Sequence, residues 1–217
     1  MVENRTTAML ETSQAPVYAD TRKLAIKLTF SIIFALLMMV SANSFFYLPF
    51  TPVPVTMQVL TVIFSAIMLG GPWALASQLL YISMGLAGLP VFAGFRSGPM
   101  VLAGPTAGYI IGFAVAAYFC GFLYQNMNSK NRLSGTNNLL AGFSSCIAGV
   151  LIIYLFGFLH LFGFLSSLSP GRSTSDMIFL SWKSGIEPFI IMDFLKILII
   201  INVLELGKKE NENCKHK

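Results

Sequence analysis

Apolar residues fill this chain in long blocks, separated by short interruptions rich in glycine and proline or by brief polar linkers. No charged side chain occurs from Leu28 to Phe95, from Ser97 to Ser129 or from Leu133 to Gly171. A helix needs about 20 apolar residues to cross hydrocarbon, so each block is long enough for one or more spans. The pattern predicts six. The first runs from about Leu24 to Tyr47 and ends at Pro49-Phe-Thr-Pro-Val-Pro54, where three prolines in six residues prevent a helix and dictate an extended segment. The second, Thr56 to Leu69, stops at Gly70-Gly71-Pro72; the third, Trp73 to Ala87, stops at Gly88-Leu89-Pro90. Both are short for a full crossing. Residues 88–108 carry eight Gly or Pro and predict irregular backbone, which a membrane tolerates only where protein covers it or a cavity is lined by it. The fourth span covers about Thr106 to Tyr124, with Gly108, Gly112 and Gly121 as points of close helix contact. A polar linker, Gln125 to Asn138, leads to the fifth span, Leu139 to Leu165; a mixed loop, Ser166 to Gly185, leads to the sixth, Ile186 to Leu206.

Composition sharpens this into an all-α integral membrane protein, a compact bundle of about six transmembrane helices. Hydrophobic residues make up 55% of the 217 and charged residues 11%, far below the roughly 25% usual in soluble domains. The expected organisation is a polar cytoplasmic tail at 1–22, a transmembrane domain at 23–207 and a basic cytoplasmic tail at 208–217. The net charge of +5 does not indicate nucleic acid. Its basic residues gather near the ends (Arg22, Lys23, Lys27; Lys208, Lys209) and at Lys130 and Arg132, the distribution of a positive-inside protein with both termini in the cytoplasm of the cell membrane. Cys120, Cys146 and Cys214 have no metal or redox spacing, and no metal or cofactor is expected.

Candidate chemistry centres on Asp193 and Lys196 in the sixth span. Charges in hydrocarbon cost several kcal/mol and normally face a cavity or a partner. Three residues apart, they share a helix face and can either pair structurally or hold a ligand. Gln78 and Tyr81 share a face of the third span in the same way, as ligand contacts or as an interhelical hydrogen bond. Arg96 is the one charge between spans three and four, suited to a carboxylate or to a solvated loop. Phe92, Phe95 and Tyr109 can supply apolar walls, and Pro105, Thr106 and Gly108 open the fourth span. His160 and Glu187 read as structural. No Walker A pattern and no nucleophile–base constellation occur, which disfavours an ATPase or an intramembrane enzyme.

Four ordered motifs carry a resemblance. They are Pro49-Phe-Thr-Pro-Val-Pro-Val-Thr-Met-Gln58, Ser77-Gln-Leu-Leu-Tyr-Ile-Ser-Met-Gly-Leu-Ala-Gly-Leu-Pro-Val-Phe-Ala-Gly94, Gly104-Pro-Thr-Ala-Gly-Tyr-Ile-Ile-Gly-Phe113 and Pro188-Phe-Ile-Ile-Met-Asp-Phe-Leu-Lys196. With these the chain resembles the BioY family, the biotin-specific S component of energy-coupling factor (ECF) transporters. The resemblance implies a protein that is not an enzyme, that binds biotin through Gln78, Tyr81, Phe92, Arg96, Asp193 and Lys196, and that works with a transmembrane coupling protein and cytoplasmic ATPases. It also implies docking on the first span, where Ser31-Ile-Ile-Phe-Ala35 stands in place of the family's Ala-x-x-x-Ala pattern. Phe95 and Arg96 depart from the glycine-rich stretch usual there. The alternative is a related transporter for another vitamin or small amide.

Overall fold

Each of the six predicted spans is a helix in the computed structural model, which describes the backbone of residues 3–134 and 138–215 and the side chains of 21–129, 139–207 and Glu210. Helix α1 is Glu3–Asn43, α2 Gln58–Leu69, α3 Gly71–Leu86, α4 Ala107–Ser134 and α5 Asn138–Leu168; α6 is Thr174–Gly185 and α7 Glu187–Lys215. Among the described residues, three segments are long and apolar enough to cross a membrane: Thr21–Asn43, Ala107–Ser129 and Leu139–Leu168. α7 has the length, but Glu187, Asp193, Lys196 and Glu205 interrupt its apolar character.

Three sequence expectations change. The backbone of the expected polar tail is helical from Glu3 and continuous with the first span. The expected linker after the fourth span is mostly helix, because α4 runs on to Ser134; residues 135–137 lie outside the described residues. The mixed loop before the last span contains α6, twelve residues with Ser173 before its first turn, Asp176 within that turn and Lys183 in the last. That order of residues matches the charge preference of helix ends, and Met177, Ser181 and Ser184 fall on one buried face.

Two sharp features set the packing. At Gly70 the backbone takes φ 82°, which turns α2 directly into α3 and brings Pro72 to the start of the new helix. A Cβ on Gly121 of α4 would collide with the backbone at Gly70 and Gly71, so the turn sits against α4. Gly108 lies as closely on α5, at Phe156 and His160, and Gly112 packs less tightly on Phe156 and Ile153. At about 1.5 Å per residue, α2 and α3 are about 18 and 24 Å long, shorter than a bilayer core of about 30 Å. Both therefore end inside the bundle's height. Their missing length is made up by a two-stranded antiparallel hairpin, β1 (Phe45–Phe46) with β2 (Val55–Thr56), and by the irregular segment after α3. In that segment Phe92 N–H donates to the Arg96 carbonyl at 3.1 Å, and Pro99–Ala103 forms a 3-10 turn.

Candidate functional site

The hairpin, the irregular segment, the adjoining ends of α2, α3, α4 and α7 and the middle of α5 surround one cavity. Its unfilled volume, counted out to the mouth, is about 610 Å³. Apolar walls come from Val53, Ile110, Phe113, Ile153 and Phe189, with Phe92 and Tyr109 among them. Phe92 packs edge-on against Tyr81, ring centres 5.5 Å apart, and a Cβ on Gly85 would overlap its ring; the absent side chain makes room for this wall.

Polar groups reach the cavity from two sides. On α7, Lys196 Nζ donates to Asp193 Oδ1 at 2.7 Å and to the Thr56 carbonyl at 2.8 Å, and the Tyr154 hydroxyl donates to Asp193 Oδ2 at 2.7 Å. Asp193 and Lys196 are only 2% and 5% exposed. Among the described residues, two of the three ammonium donors are engaged, and the carboxylate retains lone pairs beyond the two in use. On α2 and α3, the Gln58 amide nitrogen donates to the Tyr81 hydroxyl at 3.1 Å, and its amide oxygen accepts from the Thr56 hydroxyl at 3.2 Å. The Tyr81 hydrogen remains available to a ligand. Arg96 stands at the mouth, exposed, with its Nε–H donating to the Ala93 carbonyl at 3.0 Å.

An apolar enclosure carrying a few fixed polar groups is the usual construction of a small-molecule site. The sequence model of the BioY family matches residues 10–212. The chain belongs to the BioY family. A "Biotin transporter BioY" of Thermotoga maritima is 33% identical over 166 residues, 76% of this chain and 87% of that protein. A "Probable biotin transporter BioY" of Pyrococcus horikoshii is 32% identical over 154 residues, 71% of this chain and 80% of that one. In three dimensions the fold matches the crystal structure of the S component for biotin from an ECF-type ABC transporter. The TM-score is 0.65 at 19% identity, covering 85% of this chain and 93% of that one. Together with the apolar helices, membership makes this an all-α, multi-pass integral membrane protein of a transporter family and not an enzyme.

Of the site residues expected in this BioY-family chain, the fold brings Tyr81, Phe92, Arg96, Asp193 and Lys196 to one cavity. Gln78 does not line it. Its side chain is wholly buried, with the amide nitrogen donating to Ser77 Oγ at 3.2 Å and its oxygen without a partner among the described residues. The glutamine at the cavity is Gln58, which closes the first motif. Ser31 and Ala35, expected as docking residues, are 4% and 0% exposed, and Ser31 Oγ donates to the Trp73 carbonyl at 3.1 Å, a bond that ties α1 to α3 within the chain. His160 Nε2 lies 3.0 Å from the Gly104 carbonyl oxygen, tying α5 to the start of α4. Thr56, Gln58 and Tyr154 were not singled out from sequence; only the placement of Gln58 at the end of the proline motif hinted at it.

Proposed function

We propose that this chain captures biotin in the central cavity and serves as the substrate-binding component of an ECF-type transporter. The observation that carries the reading is the buried Asp193–Lys196 pair in the cavity wall, completed by Tyr154, in a cavity that Gln58 and Tyr81 also line. Biotin offers two ureido N–H donors and one carbonyl acceptor on an apolar bicycle, with a tail ending in a carboxylate. An aspartate accepts and a lysine donates, so the pair suits the ureido group. The apolar walls suit the rings, and the exposed guanidinium of Arg96 at the mouth suits the tail carboxylate. The names of the relatives support biotin over another vitamin.

In this reading the protein sits in the cell membrane with both termini in the cytoplasm, as the clusters at Arg22, Lys23 and Lys27 and at Lys208 and Lys209 favour. Biotin enters from the opposite face. Energy comes from outside the chain, through a transmembrane coupling protein and cytoplasmic ATPases, since the sequence holds no Walker A pattern. Docking on α1 falls to its exposed stripe of Leu28, Ile32, Leu36 and Val40. The deciding experiment is equilibrium binding of biotin to the purified protein in detergent, with Asp193→Asn alongside. Wild-type binding weakened at least about tenfold by the substitution, about 1.4 kcal/mol, supports the reading. Unchanged affinity in the variant removes Asp193 from the site, and no binding by folded wild type redirects the cavity to another ligand.

A further inference from the structure

Asp193 lines two spaces. Besides the central cavity it borders a second, almost wholly apolar groove between α5 and α7, formed with Ile147, Val150, Leu151, Ile190, Phe194 and Ile197. Tyr154 is the one other residue common to both. Leu151, Ile190 and Phe194 are exposed on the outside of the chain, so this groove opens toward the hydrocarbon around the helices. One carboxylate and one phenol thus border both cavity and groove.

A carboxylate so placed has two sides to satisfy. Lys196 holds Oδ1 at 2.7 Å. The six other groove residues are aliphatic or Phe and have no side-chain donor, which leaves the Tyr154 hydroxyl, 2.7 Å from Oδ2, as the second hold. An oxyanion turned toward hydrocarbon without a donor is strongly unfavourable. Held at both oxygens, the carboxylate has a fixed plane, and its remaining lone pairs have a fixed direction.

We infer that Tyr154 is a positioning residue for recognition. It acts on the ligand through Asp193, keeping the carboxylate in the orientation that accepts N–H donors from the cavity while it closes the wall against lipid. This rests on the reading that the cavity takes a ureido-bearing ligand.

A double-mutant cycle tests it on the full-length protein in detergent. Wild type, Tyr154→Phe, Asp193→Asn and the double variant are titrated with biotin and with the two cyclic-carbamate isomers, each lacking one ureido N–H. Tyr154→Phe weakens biotin by at least about tenfold, yet by less than about twofold when Asp193→Asn is already present. For one carbamate isomer the Tyr154→Phe effect shrinks, because the donor that Asp193 received is gone; a packing role would not distinguish the isomers. Losses that multiply in the double variant, or equal losses for all three ligands, overturn the inference while leaving biotin binding intact. If folded wild type binds no biotin, the functional reading falls first and this role falls with it. Should Tyr154→Phe alone fail to fold, the double variant decides. Its folding would show that the unpaired carboxylate was the fault and support the pairing, whereas its collapse beside a folded Asp193→Asn would assign Tyr154 to packing.

Discussion

Replacing Lys196 with Met separates what the ion pair does for stability from what it does for binding. Methionine keeps most of the side-chain length and apolar stem but removes the ammonium. Asp193 then loses its 2.7 Å partner and keeps only the Tyr154 hydroxyl, and the Thr56 carbonyl loses its 2.8 Å donor. Removing one member of a buried pair costs about 3–5 kcal/mol, because the other charge is left uncompensated. The surviving Tyr154 hydrogen bond sets the expectation at the lower end, about 3 kcal/mol. At about 2–4 °C per kcal/mol for a chain of this size, thermal unfolding in detergent should fall by about 6–12 °C. Asp193→Asn/Lys196→Met leaves no buried charge and should recover to within about 1 kcal/mol of wild type. Biotin binding should be lost in both. The reasoning is refuted if Lys196→Met melts with wild type, or if the double variant melts below either single one.

Two further outcomes follow from the geometry. Arg96→Ala should weaken biotin by more than it weakens biotin amide, whose tail carries no charge; equal losses in the two titrations would argue against a carboxylate contact at the mouth. Ala35→Leu should cost about 1–3 kcal/mol by overpacking a wholly buried position, whereas Leu36→Ala on the exposed stripe should change stability by no more than about 0.5 kcal/mol. Thermal unfolding of the two variants separates them, and a Leu36→Ala variant that binds biotin but no longer supports uptake in cells would place partner docking on that stripe.

The spans were readable because a membrane imposes one strong rule on sequence, long apolar blocks ended by glycine, proline or charge. The charged pair was readable for the same reason, since Asp193 and Lys196 are conspicuous in an apolar helix. Other elements were harder. Helix α6 is amphipathic and short, and its Ser173 and Asp176 start signal lies in a stretch that hydropathy alone treats as loop. A spacing of three put Gln78 and Tyr81 on one face, but spacing fixes a face and not which turn of it reaches the cavity; Tyr81 does and Gln78 does not. Tyr154 gave no signal, being one aromatic among many in α5, and acquires its role from a residue 39 positions away. Ser31 shows the converse limit: a small residue says that something approaches closely, and at Ser31 that something is the chain's own α3.

The bond from Lys196 to the Thr56 carbonyl fastens β2, and with it the hairpin beside the cavity, from inside the pocket. A ligand bonded to this ammonium would share the nitrogen that anchors the hairpin, so a substitution that shifts β2 would reach the polar end of the cavity without touching the ligand.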